Sequence, residues 1–277
     1  MPVVGRLRYL EALPPDVSSL ASRPGGGAGQ LHGTVVLIHG FPLNARMWEP
    51  QLELAQHGWR VIVPQLRGFD GPAADPVAAS VDDYAGDVID LLDALHIEQA
   101  VIGGLSMGGY ITFAVFRHAA RYFRGMILAD TRAQADTPEG VEGRQRMIQL
   151  VREKGAAAAA DEMLPRLIGA STRALRPEVE QAVRGLILSN PPETIVGALM
   201  ALMTRPDATP SLAAIHCPAL VLVGDEDVIT PPAASREIAG GIAGAELVVI
   251  PGAGHMSNME QPAAFNRAVA RFLDHRV

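Results

Sequence analysis

The sequence predicts an α/β protein: a mostly parallel sheet flanked by helices, with a separate helical segment let into the chain after one of its strands. Three observations carry this. Short apolar, β-branched runs alternate with helix-patterned stretches across the first half of the chain and again from Ala219 onward. Between the two blocks, over 133–208, the alternation stops and only helical patterns appear. The third is a G-x-S-x-G turn, Gly104 to Gly108, which sits where an apolar strand-like run meets a helix-like one. With 277 residues, 48% hydrophobic and 19% charged, the chain has the composition of an ordinary globular protein with a large core.

Taken in order, residues 6–13 read as a first, edge strand. The following 14–33 are rich in Pro, Ser and Gly, including Pro24-Gly25-Gly26-Gly27, and predict a surface connection that buries little. Thr34 to Ile38 form a buried parallel strand that runs into His39-Gly40-Phe41-Pro42-Leu43. A short helix carrying Trp48, Leu52 and Leu54 is expected over 46–57, a strand over 59–64 and a turn over 67–72. Ser80 has the chemistry of a helix N-cap, with Asp82 and Asp83 in the first turn and Val88, Leu91, Leu92 and Leu95 on one apolar face. The strand over 99–103, the Ser106 turn, its helix, and a strand over 125–129 complete the first block.

The insert is expected to hold helices over 144–154, 156–168, 177–189 and 192–203, separated at Gly155, Gly169, Pro191 and Pro206. A helical segment standing over one face of a sheet makes a lid, so residues 133–208 are expected to form a cap on a core made of 1–132 and 209–277. Met147, Met163, Met200 and Met203 are expected to fill the lid's own interior. The α/β rhythm returns with a strand over 219–223, the turn Gly224-Asp225-Glu226-Asp227 and a helix opening at Pro231-Pro232. A strand over 246–250, the loop Pro251-Gly252-Ala253-Gly254-His255 and a terminal helix over 261–274 finish the chain.

Charge and cysteine usage narrow the function classes. A net charge of −7 gives no basic footprint for nucleic acid or an anionic membrane. The single cysteine, Cys217, allows no intrachain disulfide and reads as a buried thiol at a strand start, since its apolar neighbours do not activate a nucleophile. The start of the sequence lacks a basic segment followed by a continuous apolar one, and no run approaches the ~18–20 apolar residues of a membrane span, so a cytoplasmic location is expected. His32, His57, His96, His118, His216 and His275 show no metal-ligand spacing; neither a metal nor a cofactor is expected.

The chemistry centres on Ser106. A serine on a tight strand-to-helix turn is pushed out above the sheet edge, where a base can reach its hydroxyl and the helix-starting amides point at the same spot. Ser106, the acids of 225–227 and His255 all fall at the ends of predicted parallel strands, where open α/β sheets place their sites. Here the sequence resembles the α/β-hydrolase fold over essentially the whole chain. The order Ser, Asp, His fits that family, as does a helical cap inserted after the sixth strand, the one ending near Ala129.

The resemblance implies Ser106 as nucleophile, His255 as base and Asp227 as the carboxylate that orients the imidazole. The family pattern Gly-x-x-Asp-x-x-Thr-Pro matches Gly224, Asp227, Thr230 and Pro231, with Asp225 and Asp130 as alternative acids; Asp225 could instead close an Asx-turn. His39-Gly40-Phe41-Pro42 resembles the family's oxyanion loop, implying the amides of Phe41 and Met107 as donors and a structural role for His39. Arg132 and Pro42 are candidates to line the substrate pocket. For Arg132 the choice lies between anchoring a substrate carboxylate and pairing with Asp136 or Glu139 in the lid.

The implied activity is that of a carboxylesterase-type serine hydrolase acting on a small-molecule ester. Low aromatic content and an apolar lid lean toward small to medium acyl chains. Two branches remain open: an enol-lactonase taking an acidic lactone, and, because Phe41-Pro42-Leu43 resembles the loop of cofactor-free haloperoxidases, acyl transfer to peroxide. A slow-turnover receptor for a small signalling ligand is the alternative of another class.

Overall fold

The computed structural model describes residues 1–4, 7–15, 31–71 and 78–277. Arg6 of the first predicted strand, residues 16–30 of the Gly- and Pro-rich connection, and Pro72 lie outside the described residues. Among the described residues eight strands form one sheet: β1 (Val3–Val4), β2 (Leu7–Ala12), β3 (Gly33–Ile38), β4 (Trp59–Gln65), β5 (Ala100–Leu105), β6 (Phe123–Ala129), β7 (Ala219–Gly224) and β8 (Glu246–Ile250). Their order is β1-β2-β4-β3-β5-β6-β7-β8. From β3 to β8 every pairing is parallel, while β1 and β2 are antiparallel to their neighbours. The strand expected at the edge is not outermost, because the two-residue β1, too short for any period to reveal, pairs along its outer side.

The two faces of the sheet are read off alternate residues. On β3, Val36 and Ile38 join the core that packs under α1 (Val81–Ala94) and α2 (Met107–Ala119). Val35 and Leu37 join the opposite core, with a 3-10 helix (Ala45–His57) and the C-terminal helix. All four are fully buried, and each such side chain contributes roughly 1.5–3 kcal/mol. Ser80 caps α1 as its sequence predicts: its hydroxyl accepts the Asp83 amide at 3.1 Å while the Asp83 carboxylate accepts the Ser80 amide at 2.9 Å.

Between β6 and β7 stands the helical insert of α3 (Pro138–Leu167), α4 (Ala170–Leu175), α5 (Pro177–Leu188) and α6 (Pro192–Met203). Helix α3 starts earlier than expected, at a Thr137 cap, and is broken at Gly155, whose φ of 75° interrupts the helical backbone. The six-residue α4 is too short to show an apolar period. The methionines do not behave as one set. Met203 packs against the core, Met200 is 49% exposed, and Met147 and Met163 line a cavity. After β7 come α7 (Pro232–Gly241), the single turn α8 (Ser257–Glu260) and α9 (Pro262–Arg276). Cys217 is half-buried, and burial pushes its thiol up to about 11, far from a reactive thiolate.

This topology makes a crevice. β3 has β4 on one side and β5 on the other, so the chain leaves the carboxyl ends of β3 and β5 in opposite directions and opens a gap between the two loops.

Candidate active site

Ser106 stands at the end of β5 on one side of that gap. Its φ of 55° is in the left-handed region that a non-glycine residue seldom adopts. The turn is held in it from several directions: the Ser106 amide donates to the Ala129 carbonyl at 3.0 Å, and the Ser106 carbonyl accepts the Thr131 hydroxyl at 2.9 Å. The motif's glycines are required by close approach. A Cβ on Gly104 would run into the Gly108 backbone, and one on Gly108 into the Ile38 carbonyl on β3.

His255 lies in the loop after β8, with its Nε2 2.9 Å from Ser106 Oγ and its Nδ1 2.8 Å from Asp227 Oδ2. The His255 and Asp227 side chains are 2% and 0% exposed. Asp227 sits just past β7 and also accepts the Thr230 hydroxyl at 2.6 Å and the amides of Ile229 and Thr230 at 2.8 and 2.9 Å. Burial pushes its carboxyl up, but the favourable electrostatics of the facing imidazole and the hydrogen bonds from His255 and Thr230 outweigh burial and hold it below the usual carboxylate range. An ionised carboxylate only accepts, so Nδ1 carries the imidazole proton and Nε2 is left free to accept from Ser106.

The two alternative acids are engaged elsewhere. Asp225 does not close an Asx-turn; its carboxylate reaches across to accept the Gly252 amide at 2.8 Å, holding the loop that carries His255. Asp130, fully buried at the end of β6, accepts the Gly224 amide at 2.8 Å and the Ser257 hydroxyl. Burial first, and then the nearby Asp227 charge, raise its pKa well above the ordinary value. Of the three carboxylates, Asp227 faces the imidazole.

The loop after β3 forms the other wall of the gap. His39 is fully buried; its Nδ1 lies 3.1 Å from the Gly40 carbonyl and its Nε2 accepts the Leu66 amide at 3.2 Å. Burial lowers its pKa to about 4, only partly opposed by the Gly40 hydrogen bond, so the ring is neutral and ties two loops together. The turn closes with Leu43 N–H donating to Gly40 O at 3.0 Å. Among the described residues neither the Phe41 amide nor the Met107 amide donates to a protein acceptor.

A cavity of about 750 Å³ opens between this loop and the cap. Phe41, Leu199, Ile229, Met147, Leu150 and Met163 give it apolar wall, but Glu139, Arg144, Arg146, Glu162 and Arg166 of α3 line it too, so the lid is not the apolar surface that its composition suggested. Arg132 lines it as well and donates to the Ile229 carbonyl, whereas Asp136 is held by Arg144 and, at 2.8 Å, by Arg205. Arg132 is thus paired with neither of the lid acids considered for it. Pro42 is not a lining residue of the cavity; its carbonyl turns away and accepts Asn190 Nδ2 from the cap at 2.7 Å.

Residues 35–268 match the alpha/beta hydrolase family, and the chain belongs to it. Among its relatives is a 3-oxoadipate enol-lactonase of Acinetobacter baylyi, 33% identical over 85% of this chain and 86% of that protein. A thermophilic esterase from Thermogutta terrifontis is 39% identical, with a TM-score of 0.86 over 97% of this chain and 93% of its own. The enol-lactonase from Burkholderia xenovorans superimposes with a TM-score of 0.83 at 30% identity, over 97% of this chain and 96% of its own.

Proposed function

We propose that the protein is a carboxylesterase-type serine hydrolase that cleaves esters of small to medium acyl chains through an acyl-serine intermediate. One observation carries the reading: His255 stands between the Ser106 hydroxyl and the Asp227 carboxylate, 2.9 Å from one and 2.8 Å from the other. In this reading Nε2 takes the Ser106 proton as Oγ attacks the ester carbonyl, and Asp227 stabilises the imidazolium that forms. The carbonyl oxygen becomes an oxyanion received by the Phe41 and Met107 amides, each such donor contributing about 3–4 kcal/mol to the transition state. Nε2–H then protonates the departing alkoxide. Water repeats the sequence on the acyl-serine, returning the free acid and the resting serine.

The cavity's volume is that of a small-molecule site; its methionine and leucine side chains offer contact to an aliphatic acyl group, beside charged side chains that offer contact to polar substrate groups. A second reading, an acidic lactone, is favoured by Arg132 on the cavity wall and by enol-lactonases among the relatives. The attack on the carbonyl is the same; ring opening leaves the leaving group tethered to the acyl-serine.

The test is hydrolysis of p-nitrophenyl esters from acetyl to dodecanoyl by wild type and Ser106→Ala. Turnover that peaks on short or medium chains and vanishes on substitution is the expected result. Marginal turnover on every ester, or activity that survives Ser106→Ala, sinks the esterase reading.

A further inference from the structure

The cap meets the core at a turn between α5 and α6, and the polar groups there reach two loops, the one after β3 and the one after β4. Asn190 is 2% exposed, yet its side chain is fully used. Its Nδ2 donates to the carbonyls of Pro42 at 2.7 Å, Leu186 at 3.0 Å and, more weakly, Leu43 at 3.4 Å. Its Oδ1 accepts the Asp70 amide at 2.8 Å. On either side, Asn44 Nδ2 donates to Ser189 Oγ at 2.9 Å, and Thr194 Oγ1 donates to the Gly68 carbonyl at 2.7 Å.

We infer that Asn190 is a positioning residue for the oxyanion-binding amide of Phe41, so that the cap sets the rate of the chemical step as well as shaping the pocket. This rests on the serine-hydrolase reading above. The Phe41 amide belongs to the turn Gly40–Leu43, and its direction follows from how that turn is held. On one side the Gly40 amide donates to Met47 Sδ at 3.2 Å. On the other, Asn190 donates to the Pro42 and Leu43 carbonyls, and the Pro42–Leu43 peptide it holds donates its own N–H to Gly40 O, the carbonyl in the same peptide plane as the Phe41 amide. Freed from Asn190, the peptide planes around Phe41 can rotate. An oxyanion donor is effective only when it is fixed before the charge develops. Asn190 touches neither substrate nor reacting atoms in this scheme; it acts through the loop.

The test compares wild type, Asn190→Ala and Asn190→Asp. The aspartate keeps the shape and the acceptor for Asp70 but, once ionised, cannot donate to the Pro42 and Leu43 carbonyls. Expected are a kcat lower by on the order of 10–100-fold in both variants, with KM within about threefold, and a parallel weakening of inhibition by phenylboronic acid, whose Ser106 adduct places an oxygen in the same hole. Lowering the pH protonates the introduced carboxyl, restores a donor and brings the Asn190→Asp variant back toward wild type. A residue that only braces the cap would raise KM or lower thermal stability while sparing kcat, and that result overturns the inference. So does an unchanged boronic acid affinity.

Amide exchange of the peptide spanning 39–48 supplies a readout that needs no substrate. Faster exchange in the variants supports the clamp, and unchanged exchange overturns it. Should wild type neither cleave esters nor bind the boronic acid, the serine-hydrolase reading falls on that evidence alone, and the exchange result still decides whether Asn190 holds the loop.

Discussion

Ser257 donates its hydroxyl to Asp130, tying α8, two residues beyond His255, to the end of β6. With the Gly224 amide on its other oxygen, Asp130 braces three strand-end loops around a carboxyl whose pKa is raised well above the ordinary value, while its neighbour Asp227 is held below it. Asparagine at this position keeps an acceptor for the Gly224 amide and offers an NH2 to the Ser257 oxygen, so the brace is preserved. Asp130→Asn is expected to change kcat/KM on p-nitrophenyl butyrate by less than about threefold at pH 7, whereas Asp227→Asn costs on the order of 10⁴ because the imidazole loses its orienting anion. The reverse ranking in steady-state kinetics would move the acid role to Asp130.

Burial holds His39 neutral, with a pKa near 4 against an ordinary value of 6.5. The unfolded chain therefore binds a proton in this window that the folded chain refuses. Stability from this group is fully present above about pH 6.5 and is lost as the pH falls toward 4, a change of roughly 3 kcal/mol. Replacing the ring by His39→Gln removes that titration. Thermal melts between pH 7 and pH 4 are expected to show a flatter Tm profile in the variant; parallel profiles would assign the acid sensitivity to other groups.

Arg132 donates to the Ile229 carbonyl and lines the cavity. If its guanidinium meets a substrate carboxylate, Arg132→Ala lowers kcat/KM on a monoester of a dicarboxylic acid by about 10–100-fold while a neutral ester of equal length loses less than threefold, the worth of a charge-assisted hydrogen bond. Equal losses on both substrates would reduce Arg132 to a brace for the Asp227 loop.

Glu260 is fully buried, and its carboxylate accepts the amides of Gly254 and Met256, which flank His255, and that of Gly169 at the end of α3. His255 itself donates its amide to the Leu167 carbonyl at 3.0 Å. In Glu260→Gln one oxygen becomes an NH2 that faces an amide donor, with an expected cost of about 2–4 kcal/mol in denaturant unfolding. An unchanged midpoint would mean the loop is fixed without it.

Much of this arrangement was legible in the sequence because it is local. The β-branched runs announced the parallel strands, the 104–108 motif announced the Ser106 turn, and the match of Gly224, Asp227, Thr230 and Pro231 to the family pattern favoured Asp227 while leaving Asp225 and Asp130 open. What escaped was carried by contacts between distant positions. Ser257 meets Asp130 across 127 positions and Asn190 meets Pro42 across 148, and an isolated serine or asparagine gives no periodic signal. Helices α4 and α8 are too short to display a period. The break at Gly155 was legible, but the division of the methionines between cavity and surface depends on how α3 and α6 pack against the rest of the fold, which no local pattern encodes.

That break at Gly155 has an evolutionary reading. Most of the cavity wall comes from the two halves of a single interrupted helix, α3, and none of the cavity-lining side chains from α3 is Ser106, Asp227, His255 or Asn190. Substitutions confined to that one contiguous stretch can redraw the shape and charge of the pocket while the residues that hold the reactive groups stay as they are. Under the serine-hydrolase reading proposed above, α3 shapes the pocket while Ser106, Asp227, His255 and Asn190 lie outside it, so drift within α3 is a route by which related proteins diverge in what they accept.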